Sequence, residues 1–147
     1  MGDQAYVKES LDLERDYYAS TFETTIRLLG GLLSAYALSH EEVLLQKAVL
    51  VGHKLLPAFN TSSGLPSQFV NLKTGAQSWD DPRLQAAYLA DAGSLQLELR
   101  YLTEVSGDPS FAKAGDRAMA QLLTVETVTR CTIAWSNHSP ACVLIPG

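Results

Sequence analysis

Glu23 and Arg27 stand four residues apart with the acid on the N-terminal side, the orientation that favours an ion pair along one helical face. On an ordinary helix surface such a pair is worth only ~0.3–0.5 kcal/mol. The neighbours here argue for more. Phe22, Ile26, Leu28, Leu29, Leu32 and Leu33 surround the pair. The sequence therefore predicts an acid facing a polar cavity or a buried site, where desolvation raises a carboxyl pKa into the range useful for proton donation. Gly30 and Gly31, one turn on, would let a ligand or another backbone approach closely, and simple helix packing explains them equally well. Asp91, Ser94 and Glu98 fall at i, i+3 and i+7 of a later predicted helix, so two carboxylates share one face. That face is either solvated outer surface or the wall of a cavity where acids meet sugar hydroxyls or a glycosidic oxygen.

The elements that must position these groups are helical. Phe22, Ile26, Leu29, Leu33 and Tyr36 form the stripe of a first helix over about residues 22–38. Ser39 followed by Glu42 reads as a capping box opening a second helix, with Leu44, Ala48, Val51 and Leu55 as its stripe and Pro57 at its exit. The short link predicts an αα-hairpin. Residues 60–82 are turn-rich and read as a packed loop. A third helix is expected over about 86–105 on Leu95, Leu99, Leu102 and Val105. Gly107, Asp108 and Pro109 supply a stop, an N-cap and a first-turn proline for a fourth helix through Phe111, Ala114, Ala118 and Leu122. The two hairpins echo one another, which suggests an α/α toroid or solenoid. Two such repeats leave inner helices uncovered, so the chain reads as incomplete. The expected organisation is a helical domain at 9–124 and a tail at 125–147 without regular elements.

Composition narrows the function classes. The 147 residues carry 11 Lys+Arg against 16 Asp+Glu, a formal net charge of -5, which offers no basic field for nucleic acid or an anionic membrane. The most apolar stretch, 28–38, is interrupted by Gly30, Gly31 and Ser34 and falls short of the ~20 residues that span a bilayer. No signal peptide pattern opens the chain. Cys131 and Cys142 have no CxxC spacing with histidine partners, and their pairing stays open. His40, His53 and His138 are scattered, in keeping with turn, helix-surface and tail roles rather than metal ligation. Asn60-Thr61-Ser62 and Asn137-His138-Ser139 are N-glycosylation sequons, relevant only in the secretory pathway.

Longer strings of residues resemble a known family. Phe22-Glu23-Thr24-Thr25-Ile26-Arg27-Leu28-Leu29-Gly30-Gly31-Leu32-Leu33-Ser34-Ala35-Tyr36 closely resembles the signature of the class I α-1,2-mannosidases, family 47 of the glycoside hydrolases. Lys54-Leu55-Leu56-Pro57-Ala58-Phe59-Asn60-Thr61, Gly64-Leu65-Pro66 and Val70-Asn71-Leu72-Lys73-Thr74-Gly75 resemble its next segment. Leu89-Ala90-Asp91, Leu95-Gln96-Leu97-Glu98 and Ser106-Gly107-Asp108-Pro109 resemble the one after.

The resemblance implies an all-α fold, part of a seven-hairpin α/α barrel that trims terminal α-1,2-linked mannose from high-mannose N-glycans with inversion. Such chemistry needs an acid at the leaving oxygen and a base activating water on the opposite face. Glu23 matches the family's acid. Arg27 matches the arginine that orients it and the substrate. Asp91 stands where the family usually has Glu, one methylene longer, and Glu98 matches an acid whose following aromatic is here Leu99. The resemblance also implies a calcium ion, whose threonine ligand lies in later hairpins without a counterpart here, and a location in the endoplasmic reticulum or Golgi lumen. With the base also in those hairpins, this chain by itself is expected to be inactive. Two other readings compete with catalysis: a lectin-like binder of mannose glycans linked to degradation in the endoplasmic reticulum, and a helical-repeat interaction module.

Overall fold

The computed structural model describes residues 11–80, 82–83, 87–124, 131–136 and 139–144, the last two segments by their backbone only. The chain enters through strand β1 (Tyr18–Ser20) and turns at once into helix. The Ser20 hydroxyl accepts the Glu23 amide at 3.2 Å and so caps the short helix α1 (Thr21–Glu23). A π-helical segment, Thr24–Leu29, and helix α2 (Gly30–Ser39) continue it without a gap, so the predicted first helix is present and widened in its middle. Helix α3 (Glu42–Leu55) follows after two residues, then a 3₁₀ turn, Leu56–Phe59. His40, at φ 55°, reverses the chain between α2 and α3. This is the first expected hairpin.

The capping-box reading of Ser39 and Glu42 is corrected. Ser39 still belongs to α2: its hydroxyl donates to the Ala35 carbonyl at 2.8 Å and accepts the Glu41 amide at 3.3 Å. Glu41 is the residue that flanks α3, with no side-chain cap of its own.

The turn-rich stretch contains strands β2 (Phe69–Asn71) and β3 (Gln77–Ser78), antiparallel neighbours in the order β1-β2-β3. Asn71 organises the turn between them. Its Oδ1 accepts the amides of Lys73 and Thr74, and its Nδ2 donates to Asp16 at 2.7 Å. Gly75, at φ 74°, closes the turn against Pro57, with a side-chain atom of that proline 3.2 Å from where a Cβ would stand. Residues that the helical period could not account for are thus a small sheet fastened to the start of α1, where the Thr21 amide donates to the Gln68 carbonyl at 2.8 Å.

The third helix is not continuous. After strand β4 (Ala87–Tyr88) comes helix α4 (Leu89–Gly93), a break at Ser94 and Leu95, and helix α5 (Gln96–Ser106). Gln96 Nε2 donates to the Ala92 carbonyl at 3.1 Å, satisfying one backbone acceptor that the break releases. Gly107, at φ 77°, ends α5, and Asp108 Oδ1 accepts the Ser110 amide at 2.9 Å at the start of helix α6 (Pro109–Thr124), as expected from the sequence. The tail departs from expectation: β5 (Cys131–Ser136) and β6 (Ser139–Leu144) form an antiparallel pair, and β6 also pairs with β4. Thr132, Ile133, Trp135 and Val143 favour strands, a preference that a search for helical periodicity does not register.

The two helical hairpins meet in one core. Leu29, Val51, Leu55, Leu99, Leu102 and Phe111 are completely buried, and the stripes predicted for the second to fourth helices supply about half of that core. The fold class is therefore all-α in its core, with two small sheets beside it. Gly52 marks a tight contact between hairpins: a Cβ there would lie 2.5 Å from Leu102 Cδ2 and 2.8 Å from the Phe111 ring. Both side chains are fully buried and have nowhere to retreat. Gly52→Ala is expected to lower the unfolding free energy by about 1–3 kcal/mol, measured by urea titration. An unchanged midpoint would contradict this packing.

Candidate active site

The first helix presents two faces. Thr21, Thr25, Leu29, Leu32 and Leu33 are buried, whereas Glu23, Arg27, Gly30, Gly31, Ser34 and Ala37 are half-buried or exposed and lie toward the opposite side. Glu23 and Arg27 form the expected ion pair through Arg27 Nε, and the contact raises the guanidinium pKa by hydrogen bonding and charge. The expectation that apolar neighbours bury the acid is corrected. The Glu23 side chain is 46% exposed and that of Arg27 76%, because the apolar side chains around them turn to the core and the hairpins cover only one side of this helix.

The break in the third helix alters how its acids are placed. Asp91 lies in α4 and Glu98 in the first turn of α5, so they do not share the face of one straight helix. They are instead distributed along the first helix. Asp91 is half-buried near Glu23, and its carboxyl is pushed above its ordinary value of 3.8, first by burial and then by the negative charges of Glu23 and Asp80. Glu98 lies against Gly30: its Oε1 is 3.6 Å from where a Cβ of that glycine would be. Its Oε2 is buried with no hydrogen-bond partner among the described residues. Gly31 faces open space.

A groove of about 700 Å³ runs between α2 and α5, lined by Gly30, Ser34, Glu98, Arg100, Tyr101 and Glu104 among others. The sequence reading did not single out Arg100, Tyr101 or Asp80. Arg100 and Tyr101 follow Glu98 by two and three residues on an otherwise leucine-rich helix, which was the available signal. Asp80 acts on the site through its charge on Asp91, and it is held by its amide, which donates to Gln68 Oε1 at 2.6 Å, and by the Tyr88 hydroxyl at 3.3 Å from its Oδ2. Leu99, the residue in place of an expected aromatic, is completely buried in the core. It does not face the groove's polar edge. Ser94 is exposed at the break.

The histidines take the roles expected of a turn and a helix surface. His40 holds the left-handed turn, and His53 pairs with Asp108 at 3.4 Å, while His138 lies outside the described residues. Among the described residues no group of three or more His, Cys, Asp or Glu side chains is arranged to hold a metal ion. The described residues offer no donor set that fits a resident calcium. No helix of the described residues is long and apolar enough to cross a membrane.

The sequence model of glycosyl hydrolase family 47 matches residues 3–139. The chain belongs to that family. The mannosyl-oligosaccharide 1,2-alpha-mannosidase IC of Homo sapiens is 47% identical over 110 residues, 75% of this chain and 17% of that protein. The mannosyl-oligosaccharide 1,2-alpha-mannosidase of Arabidopsis thaliana is 42% identical over 120 residues, covering 80% of this chain and 21% of that one. The endoplasmic reticulum mannosyl-oligosaccharide 1,2-alpha-mannosidase of Schizosaccharomyces pombe is 44% identical over 119 residues, 80% of this chain and 23% of that one. The solved alpha-1,2-mannosidase from Trichoderma reesei superposes with a TM-score of 0.72 at 29% identity, over 82% of this chain and 27% of that chain. The two hairpins are thus part of an α/α barrel, and the chain spans about a fifth of the length of the curated relatives it matches.

The raised Asp91 pKa has a sign that stability measurements read. Between 3.8 and its native value the folded state binds more protons than the unfolded state, so the group lowers stability as pH rises through that window and keeps it lowered above. Asp91→Asn removes this effect. The stability of the variant relative to the parent is expected to be greater at pH 7 than at pH 3, read from melting temperatures at both. A difference independent of pH would show that Asp91 is not strained by its neighbours.

Proposed function

We propose that this chain supplies the acid side of an inverting α-1,2-mannosidase site that acts on high-mannose N-glycans in the lumen of the endoplasmic reticulum or Golgi. The observation that carries the proposal is the joint presence of Glu23, Asp91 and Glu98 along one helical edge in a chain of family 47. The names of the relatives, all of which specify mannosyl-oligosaccharide or alpha-1,2-mannosidases, supply the substrate class. The endoplasmic reticulum named for the Schizosaccharomyces pombe relative supports the lumenal location.

Glu23 is the general acid in this reading. Inverting hydrolysis requires a proton at the leaving oxygen while a second carboxylate activates water from the other face, at about 6.5–9.5 Å between the two carboxyl groups. Arg27 holds Glu23 in one rotamer by the ion pair and presents its remaining N–H donors to sugar hydroxyls. Asp91 and Glu98 accept hydrogen bonds from hydroxyls of the bound mannose. A sugar hydroxyl donating to Glu98 Oε2 would satisfy the acceptor that lacks a partner. Calcium, in this proposal, enters with other parts of the barrel and is held by groups outside the described residues.

The lectin-like reading rests on the shorter Asp91, since Leu99 is explained by core packing. Both readings place mannose at the same edge and differ in turnover. Within a complete barrel, made by exchanging this segment for the matching part of the Trichoderma reesei enzyme, mannose release from α-1,2-mannobiose is expected. Glu23→Gln is expected to lower kcat by about 10²- to 10⁴-fold with substrate binding retained. Turnover unaffected by that substitution would remove Glu23 from the acid role. Saturable binding without turnover in the parent exchange would favour the lectin, and the absence of both would favour an interaction module. The chain by itself is expected to release no mannose in the same assay.

A further inference from the structure

Asn60-Thr61-Ser62 lies where the 3₁₀ turn Leu56–Phe59 gives way to an irregular segment before β2. The tripeptide is in neither helix nor strand. Its backbone is anchored on both sides of the acceptor: the Asn60 amide donates to the Pro57 carbonyl at 3.1 Å, and the Asn60 carbonyl accepts Gln77 Nε2 at 3.1 Å. The side chains divide into two sets. Thr61 Oγ1 donates to the Leu65 carbonyl at 2.6 Å and Ser63 Oγ accepts the Leu65 amide at 3.2 Å, so these two hydroxyls hold the loop together. Arg117 of α6 fastens the same loop from outside, its guanidinium donating to the Thr61 carbonyl at 3.1 Å. Asn60 and Ser62, the two residues a sequon requires, are exposed, and their side chains make no hydrogen bond among the described residues. Modifying them breaks no contact that the fold uses.

We infer that Asn60 is an N-glycan acceptor site. In the transfer, Asn60 Nδ2 forms a bond to the anomeric carbon of a lipid-pyrophosphate-linked oligosaccharide. The bond from that carbon to the pyrophosphate oxygen breaks, the lipid pyrophosphate leaves with the electron pair, and the amide nitrogen gives up one proton. The glycan then sits on a loop stiffened by its own hydroxyls and by Arg117, and the helical core beneath is unchanged. The acceptor chemistry stands on the loop itself; its use in the cell rests on the proposed lumenal location.

The test separates these two points. The full chain is translated with a cleavable secretory signal in the presence of sealed microsomes, in an Asn137→Gln background that removes the second sequon. Signal cleavage and protease protection report translocation. One discrete mobility step, removed by an amidase that cleaves N-glycans, is expected, and it should vanish in Asn60→Gln. Ser62→Ala, which keeps Asn60, should lose the step, and Ser62→Thr should retain it, so a folding defect in any one variant cannot imitate the result. A translocated, protected chain without the step, or a step that persists in Asn60→Gln, overturns the proposal. In sealed microsomes from the source cells, the segment is expected to resist protease; its digestion there would overturn the lumenal location while leaving Asn60 an acceptor in the translation experiment.

Discussion

A carboxylate oxygen removed from water without a donor is among the costlier features a small helical unit can carry, at roughly 1–3 kcal/mol or more. Glu98 Oε2 is in that position, on a side chain whose Cγ and Oε1 pack against the first helix at Gly30. The contact arises because α5 seats closely on α2 through Leu99 and Leu102 and the core they share with Leu29 and Phe111. The same seating carries α4 toward α1 and brings Asp91 within electrostatic reach of Glu23. Hydrophobic burial on one side of the helices therefore sustains a concentration of negative charge on the other. A fold selected for stability alone would place alanine or leucine on that edge.

The π-helical segment belongs to the same arrangement. It widens the first helix over Thr24–Leu29, between Glu23 and Gly30, and such segments are frequent at functional sites. The buried side of that segment is held by Thr25, whose hydroxyl donates to the Thr21 carbonyl at 2.8 Å. Under the proposed function the arrangement has a use, since this edge would contribute acids to a site that holds a sugar. In that proposal Arg27 pairs with Glu23 and turns its other N–H donors to a sugar hydroxyl.

Much of this was legible in the residues. The period of Leu44, Ala48, Val51 and Leu55, and that of Leu95, Leu99 and Leu102, identified core faces because apolar burial leaves the strongest periodic trace. Gly107 announced a helix end through a left-handed conformation that glycine favours, and Asp108 a helix start through its capping carboxylate. What escaped reading has no such trace. The break at Ser94 interrupts an otherwise helical pattern, the Gln96 side chain taking up the Ala92 carbonyl, and it changes which helix carries Asp91. Strand β6 pairs with a distant β4 as well as with β5, so the stability of this sheet is partly non-local. The exposure of Glu23 follows from which side the two hairpins cover, a property of arrangement that no spacing encodes. Glu23, Arg27, Asp91 and Glu98 were all named from sequence. Their distribution along one edge was visible only in the fold.

The central claim is that Asp91 and Glu23 act on one another across the helical edge. Site-resolved carboxyl ¹³C NMR of the chain, followed through acid pH in the parent and in Glu23→Gln, measures this directly. The account predicts an Asp91 midpoint above 3.8 in the parent that moves downward when Glu23 loses its charge. A midpoint at or below 3.8, unmoved by the substitution, would contradict it.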